Sequence, residues 1–491
     1  MVDRVIVRRG AFLDSVALML LSRDAARLDG VEQAAVVNAT PVNVDLLQRQ
    51  HFSLPADAEP PGPNDLVIAI RATAGEPLAR ALALVEERLH RRPGPGAGGS
   101  GRAAPRSVSA AARRRDDLSL ALISVPGRHA AYECARALDA GLDVLCFSSG
   151  PSLEVEAALK TRADALGSLL MGPDCGTAIL NGVSLGFGNE VQPGPVGIVG
   201  ASGTGIQAIA CRLDAAGVGI SQAIGTGGRD LNARVGGTTA LRAMELLADD
   251  PETEVIAVVA KSPDPAVAGR VAETGARSGK HVVLAFPGFE GDGVEHVGSL
   301  EEAAAACAAA TGARLPPPAR AGFVRETPGA IRGLFSGGTL RDDAAAIIGG
   351  AAELETGSGP GDAGGHVLLD LGDERFTEGR PHPMIDLSLR ISMLEQQSQD
   401  AGVGVLLLDV VLGYGAHDDP AAELAPALAR ALERRPGELT AVVSLCGTDR
   451  DPQDAAAQVE RLHAAGAVVT RSNADAAGLA LAAAGIGSAV R

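Results

Sequence analysis

Residues 194–205 read G-P-V-G-I-V-G-A-S-G-T-G, and this stretch decides the fold. The apolar, β-branched run at 196–199 predicts a buried parallel strand. Small residues follow at 200–205, and apolar residues then recur at helical spacing over 206–213. In such a turn the backbone approaches a ligand closely, and the free N–H groups of the next helix face an anion. The pattern is neither G-x-G-x-x-G nor a P-loop, so the alternative of a plain tight turn stays open.

Composition indicates the class of protein. The 491 residues suffice for about three domains. Apolar residues make up 46% of the chain and aromatic residues only 2%, and small aliphatic side chains of this kind suit parallel α/β layers. The formal net charge of −17 argues against nucleic acid or an anionic membrane as the main partner.

The cysteines and the N-terminus bear on compartment and metal binding. Six cysteines are scattered without a C-x-x-C pair, which predicts a reducing environment and no metal site. The opening residues MVDRVIVRRG lack the apolar stretch of a signal peptide, and no 18-residue apolar span occurs later. We therefore expect a cytoplasmic protein.

Changes in composition divide the chain into five segments. We expect an N-terminal α/β unit, a flexible linker rich in Gly, Pro and Arg, a Rossmann-like unit, a flavodoxin-like unit and a C-terminal α/β unit. These segments span 1–90, 91–115, 116–193, 194–315 and 316–491, respectively.

Three glycine-rich turns after predicted strands are candidate anion sites. One is the turn at 200–205, the second lies near 225–232 and contains an arginine, and the third precedes a predicted helix near 339. The residues of these turns taken as anion-binding candidates are Gly200, Ser202, Gly203, Thr204, Gly227, Gly228, Arg229, Ser336, Gly337 and Gly338.

A fourth turn, GPDCGTA at 172–178, places Cys175 at the carboxyl end of a predicted strand. A lone cysteine at such a position is either a packing residue or a nucleophile, and the sequence shows no neighbouring histidine to activate it. Cys175 is therefore kept as a candidate for substrate binding.

Charged segments follow three apolar strands of the C-terminal unit, predicted at 367–371, 403–411 and 439–445. In an open parallel sheet such strand ends meet at one crevice, whereas the alternative is a set of ordinary exposed turns. The candidate residues in these segments are Arg375, Arg380, His382, Asp386 and His417.

Longer motifs resemble known families. Residues 118–310 resemble the α subunit of succinyl-CoA synthetase through MGPDCGTAI, PGPVGIVGASGTG, AIGTGGRD and DDPETEVIAVV. Nearly the whole chain except the linker resembles the FdrA family of acyl-CoA-synthetase-like proteins, through DSVALMLLSR, LFSGGTLRDDA, RFTEGRPHPMID, DVVLGYGAHDDP and CGTDRDPQ. The resemblance implies a multi-domain α/β fold, with a Rossmann-like unit of the CoA-binding type and flavodoxin-like units with parallel sheets.

The resemblance to the synthetases does not extend to their phosphoryl relay. In the synthetases a loop histidine is phosphorylated, and a glutamate after a strand supports it. The matching strand at 255–260 runs instead into Lys261 and Ser262. The matching loop at 287–293 is short and lacks histidine, and His296 lies in a segment that resembles the strand beyond that loop. A nucleotide domain of the ATP-grasp type is not apparent.

Resemblance to the FdrA family implies a role in allantoin breakdown, as a component of oxamate carbamoyltransferase. That enzyme transfers a carbamoyl group between carbamoyl phosphate and oxamate, with oxalurate and phosphate as the other pair. Both substrates are small anions, which Arg229, Arg375 and Arg380 would contact in bidentate fashion. Under this interpretation His382 is the first candidate for proton transfer or carbonyl polarisation, and His417 is the second.

The predicted site is composite. The turns at 200–205 and 225–228 would hold one anionic group, and residues of the C-terminal unit would face it, namely Arg375, Arg380, His382 and Asp386. This interpretation requires no cofactor, and it implies partner subunits or a homo-oligomer.

Two alternatives remain. One is an acyl-CoA ligase that resembles the α subunit of succinyl-CoA synthetase, uses CoA and works with a β-like partner. The other is a non-catalytic subunit that binds CoA or an acyl-CoA. The missing relay residues count against the first, and the long charged motifs of the C-terminal unit count against the second.

Overall fold

The computed structural model describes the whole chain except residues 12, 14, 51, 56–59, 63, 91–104, 106, 356–364, 378–380 and 487–491. The chain forms two compact units. The first comprises Met1–Ala104 with Thr377–Pro381, and the second comprises Pro105–Phe376 with His382–Arg491. Every residue of the candidate site described below belongs to the second unit.

The first unit is a three-stranded antiparallel sheet covered by helices. The strands β1 (Val2–Arg8), β2 (Val31–Asn38) and β3 (Leu66–Ala72) pair in the order β1-β3-β2. The helices are α1 (Ser15–Ala26), α2 (Pro41–Arg49) and α3 (Gly75–His90). Alternate residues of β3 supply two cores, because successive side chains of a strand point to opposite faces. Ile68 and Ile70 lie in one core, and Val67 and Ala69 lie in the other.

A short helix, α4 (Val108–Ala112), lies inside the stretch predicted as a flexible linker. The Ser107 hydroxyl caps it by accepting a hydrogen bond from Ala110 N. The linker prediction overlooked this serine cap and the alanine-rich run behind it, which favours a helix. The part of the predicted linker at 91–104 lies outside the described residues, and the predicted segment boundaries stay predictions.

A small parallel sheet follows in the second unit. Its strands β4 (Leu120–Ile123), β5 (Asp143–Cys146) and β6 (Leu170–Met171) pair in the order β4-β5-β6. Helices α5 (Gly127–Leu138) and α6 (Leu153–Ala165) connect them. This order of strand, helix and strand is the predicted Rossmann-like pattern.

The next sheet has seven strands and contains the glycine-rich stretch. They are β7 (Thr177–Leu180), β8 (Val183–Gly186), β9 (Pro193–Gly200), β10 (Ile220–Gly225), β11 (Val255–Val259), β12 (His281–Ala285) and β13 (Glu295–Val297), in the order β13-β12-β11-β9-β10-β7-β8. The five strands from β9 to β13 run parallel, and β7 and β8 form an antiparallel hairpin on β10. The helices are α7 (Gly203–Ala215), α8 (Thr238–Asp249), α9 (Pro265–Arg277) and α10 (Leu300–Ala310).

The third sheet of the second unit has six strands. They are β14 (Arg320–Ala321), β15 (Ala330–Phe335), β16 (Val367–Asp370), β17 (Val403–Val411), β18 (Thr440–Cys446) and β19 (Val468–Thr470), in the order β14-β19-β18-β17-β15-β16. All are parallel except β14. The helices are α11 (Gly338–Gly349), α12 (Glu374–Thr377), α13 (Ser388–Gln397), α14 (Pro420–Arg434), α15 (Ala455–Ala464) and α16 (Asn473–Ala483).

A single core joins the six- and seven-stranded sheets. Helices α7, α10, α11 and α16 lie in it, and they contribute small buried residues such as Ala210, Ala303, Ala344 and Ala480. Alanine at a helix contact allows the two backbones to approach closely. As a result α7 and α11, which begin directly after β9 and β15, start side by side. The multi-domain α/β fold with parallel sheets is thus confirmed.

Candidate anion site between two helix termini

The N-terminus of α7 follows the carboxyl end of β9. Ser202 is its N-cap, and the Ser202 hydroxyl accepts a hydrogen bond from Gly205 N at 3.2 Å. The first N–H groups of an α-helix have no partners within the helix and carry partial positive charge. The turn predicted from the sequence therefore forms the start of a helix, with Gly203 and Thr204 in its first turn.

The N-terminus of α11 is built differently. Its N-cap is Gly337, and no side chain of the described residues caps it. The preceding turn is held by Asp409, whose carboxylate accepts hydrogen bonds from Ser336 N and Gly337 N, both at 2.8 Å, and from Ser336 Oγ at 3.0 Å. Arg390 Nη2 lies 2.6 Å from Asp409 Oδ1, and both side chains are fully buried. Ser336, a predicted anion ligand, thus directs its hydroxyl to Asp409.

The two helix termini touch. Ser202 Oγ and Thr339 Oγ1 share a hydrogen bond. A Cβ atom at Gly337 would lie 3.0 Å from Thr204 Oγ1 and closer still to the Thr204 methyl group, so only glycine fits where the termini meet. Two helix N-termini, each with partial positive charge, consequently lie next to each other, and such an arrangement favours a bound anion.

Charged side chains flank this place. Lys261 follows β11, and its Nζ lies 3.2 Å from Oδ2 of Asp342, the fifth residue of α11. A Cβ atom at Gly338 would lie 2.5 Å from Lys261 Nζ and would clash with Asp370 Oδ2, so both groups lie directly over the first residue of α11. Arg341 Nη2 is 2.9 Å from Asp342 Oδ1. The Asp342 carboxylate therefore forms ion pairs with both Lys261 and Arg341.

A cavity of about 950 Å³ opens beside the helix termini. Ala201 and Thr339 line it at the helix termini, and Gly228, Arg229 and Lys261 line it elsewhere. Two glycine-rich turns, those after β9 and β10, thus reach the same cavity, as does the start of α11. A cavity of this size accommodates a small organic anion.

Residues of the Rossmann-like part of the chain hold the Arg229 side chain in place. Its Nη2 lies 2.8 Å from Glu156 Oε2 and donates to Pro151 O at 2.8 Å. Behind it, the fully buried Lys160 Nζ donates to Asp230 Oδ1 at 2.7 Å and to a backbone carbonyl of the same loop. These contacts fix the turn after β10 against α6.

His382 lies near the same end of the six-stranded sheet. Its Nδ1 accepts a hydrogen bond from Met384 N at 3.2 Å, so the neutral ring carries its proton on Nε2. Its ring packs 5.6 Å from the Phe187 ring, and burial lowers the pKa of His382 to about 4. A Cβ atom at Gly372 would lie 2.8 Å from His382 Nε2 and 3.2 Å from Asp370 Oδ1, so the two groups share one corner of the site. His382 is accordingly a neutral hydrogen-bond donor near pH 7.

Other predicted residues lie in different surroundings. His417 is buried, accepts a hydrogen bond from Asp419 N at 3.0 Å through Nδ1, and lies 3.1 Å from Glu423 Oε1 through Nε2. Asp386 accepts a hydrogen bond from Ser388 N at 2.8 Å. Both side chains therefore bond locally, to the start of a following helix.

Two further candidates, Arg375 and Cys175, are not brought to the helix termini. The Arg375 guanidinium lies 4.7 Å from the centre of the Phe376 ring, on an exposed surface. Cys175 is buried, and burial raises the pKa of its thiol to about 12, so it carries no thiolate near pH 7. Arg380 lies outside the described residues. Gly227 has a φ of +83°, which suits glycine, and packs against the Pro173 carbonyl.

Sequence reasoning overlooked three charged residues that build the site. Lys261 entered only as a replacement for a glutamate, and Asp370 and Asp409 did not enter. Two of them left a signal in the sequence: Asp409 is the single charge in the apolar run 403–411, and Asp370 closes the strand that precedes the charged segment. A lone charge inside a buried strand is costly unless paired, so it marks a specific role.

Three family models match the chain. A model described as "CoA-ligase" matches residues 334–483, and one described as "CoA binding domain" matches residues 191–288. The third, described as "AllF, heavy metal-associated domain", matches residues 1–105. The first two models cover the segments whose helix termini form the candidate site.

The description of the third model raises the question of whether this domain binds a metal. Residues 1–105 contain no cysteine, since the first cysteine of the chain is Cys134. Among the described residues, no group of three or more His, Cys, Asp or Glu side chains is arranged to hold a metal ion. The residues of this domain therefore do not fit the soft-ligand site that its name suggests.

The described helices also include none with the length and apolar character needed to cross a membrane.

Curated relatives cover the chain to different extents. "Uncharacterized protein YahF" of Escherichia coli (strain K12) is 37% identical over 499 residues, with 96% of each chain covered. Two Archaeoglobus fulgidus proteins are named as succinate–CoA ligase [ADP-forming] subunits. Subunit alpha 2 is 36% identical over 151 residues, or 30% of this chain and 51% of the relative, so the chain spans about half of its length. Subunit alpha 1 is 30% identical over 206 residues, or 38% of this chain and 69% of the relative.

The fold, the motifs and these matches agree. The YahF match extends over nearly the full length, and the CoA-ligase and CoA-binding models fall on the two sheets whose helix termini meet. The chain belongs to the FdrA family of acyl-CoA-synthetase-like proteins, in the superfamily of the succinyl-CoA synthetase α subunits.

Proposed function

We propose that this chain is an acyl-transfer subunit of the CoA-ligase type, which binds the phosphate group of an acyl phosphate between the N-termini of α7 and α11. The observation that carries the proposal is the meeting of the two termini at Ser202 and Thr339, with Lys261 beside them. Two helix termini and one cation supply backbone N–H donors and positive charge to a phosphate.

The proposed reaction passes the acyl group to a thiol. The thiol sulfur of CoA attacks the acyl carbon, the bond from that carbon to the phosphate oxygen breaks, and a thioester and inorganic phosphate form. The CoA-binding and CoA-ligase models support CoA as the acceptor. The named relatives are subunits alpha, which supports a partner chain for this protein as well.

The charge at residue 261 favours an acyl phosphate that binds directly. A lysine stabilises a phosphate, whereas a glutamate would stabilise an imidazolium. Both histidines of the segment 281–300 bond to other groups: His281 Nε2 lies 2.8 Å from Glu295 Oε2, and His296 Nε2 lies 2.7 Å from Gly291 O. We therefore propose no phosphohistidine on this chain.

A second candidate, carbamoyl transfer, uses the same phosphate site. The observation that favours it is the N-terminal match to the AllF model, together with Lys261. Carbamoyl phosphate is itself an acyl phosphate, and the amide nitrogen of oxamate would replace the thiol as nucleophile. The product would be oxalurate, and His382 Nε2–H would polarise the carbamoyl carbonyl.

The two candidates are separated by paired assays of phosphate release. The chain, alone and with the products of neighbouring genes, is given acetyl phosphate with CoA or carbamoyl phosphate with oxamate. Release that depends on CoA supports the ligase type, and release that depends on oxamate supports carbamoyl transfer. Inorganic phosphate binding is measured in parallel by isothermal titration, and absence of binding overturns the proposal in both forms.

A further inference from the structure

We propose that Asp370 is the acid–base residue of this site: its protonated carboxyl contacts the bound phosphate and gives its proton to the phosphate oxygen as that group leaves. This inference rests on the proposed function. It assigns the proton transfer to a residue at the end of β16 rather than to a histidine.

Geometry places the Asp370 carboxyl over the start of α11. Asp370 Oδ2 and Lys261 Nζ both contact the position that a Cβ at Gly338 would occupy, so a carboxyl and an ammonium lie side by side above the first residue of the helix. Asp370 Oδ1 accepts a hydrogen bond from Gly372 N at 2.9 Å, which fixes the carboxyl plane. The chain thus holds a carboxyl group where the phosphate is proposed to bind.

The charges around Asp370 come from every neighbouring element. Lys261 follows β11, Arg341 and Asp342 lie on α11, Asp409 lies on β17, and the neutral His382 shares the corner near Gly372. Burial raises the pKa of Asp370, and Asp409 raises it further, whereas Lys261, the Gly372 N–H and Arg341 lower it.

A bound dianion adds repulsion to these effects. An ionised Asp370 would oppose a phosphate a few ångströms away, whereas the protonated carboxyl would donate a hydrogen bond to it. Phosphate binding and protonation of Asp370 therefore favour each other.

In the proposed step, the proton that Asp370 gives up is replaced by the proton of the nucleophile. The nucleophile, a thiol or an amide N–H, forms its bond to the acyl carbon as the bond from that carbon to the phosphate oxygen breaks. Asp370 gives its proton to the departing oxygen, and the proton of the nucleophile then returns to the Asp370 carboxylate. No oxidant, reductant or further reactant is needed.

The test uses sulfate, which carries the charge of a phosphate dianion but does not titrate. Isothermal titration follows sulfate binding by the full chain from about pH 5 to about pH 8. For the wild type we expect the affinity to fall roughly tenfold or more as the pH rises through the pKa of Asp370. The Asp370→Asn variant should bind sulfate at least as tightly and without that fall. His382, with a pKa of about 4, stays neutral over the range and adds no slope.

Turnover separates the proposed role from a structural one. Asp370→Asn should lower phosphate release by roughly 100-fold while sulfate affinity is kept, because the amide cannot give up a proton. Asp373→Asn is the matched control, an exposed carboxylate in the same loop whose Oδ1 accepts a hydrogen bond from Arg375 N at 3.0 Å. Unchanged release by Asp370→Asn, or a pH dependence of sulfate binding equal to that of the wild type, overturns the inference. Absence of sulfate and phosphate binding by the wild type instead overturns the proposed function.

Discussion

Ser202 Oγ and Thr339 Oγ1 share a hydrogen bond across two sheets of the second unit. Ser202 caps the helix that follows β9, and Thr339 lies in the first turn of the helix that follows β15. This contact therefore defines where two helix termini, contributed by segments 137 residues apart, meet. The predictions below concern the anion that this meeting point is proposed to hold.

Thr339→Val should weaken phosphate binding with little loss of stability. The change keeps the shape of the side chain and removes the hydroxyl that pairs with Ser202. We expect a five- to tenfold higher dissociation constant and a destabilisation of about 1 kcal/mol. Isothermal titration and urea unfolding measure the two effects, and Thr311→Val, on a hydroxyl that bonds locally at the end of α10, is the control. Equal phosphate affinity in both variants would contradict the prediction.

Lys261→Met should weaken phosphate binding about tenfold or more, because a charge-assisted contact is lost from the start of α11. The control is Lys280→Met, because Lys280 Nζ donates to Thr253 O at 2.7 Å, near the amino end of the strands. This control should keep wild-type phosphate affinity. An effect of the same size in both variants would show that Lys261 does not face the anion.

Asp409→Asn should destabilise the protein by about 3–5 kcal/mol, since it leaves the buried Arg390 unpaired. The double variant Asp409→Asn with Arg390→Met removes both charges, and we expect it to recover part of that loss. Urea unfolding of the two single variants and the double variant gives the coupling energy. Strict additivity of the two single changes would be inconsistent with a coupled buried pair.

Incubation with ATP or GTP should leave no acid-labile phosphoryl group on the chain. The reason is the lysine at 261 and the short loop at 287–293. Mass spectrometry under alkaline conditions, with a succinyl-CoA synthetase α subunit as positive control, tests this. A phosphorylated histidine between 281 and 300 would restore the relay and remove the argument for direct binding of an acyl phosphate.

Acid should destabilise the fold through His382. Its pKa is about 4 in the folded chain against about 6.5 when exposed, so the unfolded chain binds more protons between these values. Stability is therefore full above about pH 6.5 and falls as the pH drops toward 4, by up to about 3 kcal/mol. His382→Gln should lose this part of the pH dependence. Urea unfolding at a series of pH values compares the two, and identical pH profiles would contradict the prediction.

Much of the fold was predictable because its signals are local. Each apolar run followed by a small-residue turn and a helical period gave a strand and a helix, as at β9 and α7. It was harder to predict which segments, distant in the sequence, come together in the fold. The prediction placed the turns at 200–205 and 225–228 in one site, and both turns line one cavity, but it did not include the hydrogen bond of Ser202 to Thr339, more than a hundred residues away. When connections cross over other strands, the spacing of motifs along the sequence does not reveal the order of the strands in the sheet.

The roles of single side chains were predictable only in part. His417 is followed by Asp419 and Pro420, a combination that is typical of a helix start, and its ring indeed accepts a hydrogen bond from Asp419 N. A chemical role was assigned to it because histidine is a common catalytic residue. Asp370 and Asp409, by contrast, were overlooked because the prediction searched the loops beyond the strands and not the strands themselves.

The alanine-rich core under α7, α10, α11 and α16 bears on the spacing of the two helix termini at the proposed site. These alanines contact no proposed ligand, yet their size sets how far apart α7 and α11 begin. One added methylene in this layer would widen the gap between the two helix termini by a fraction of an ångström. The geometry of the proposed phosphate site thus depends partly on buried residues that have no reactive groups of their own.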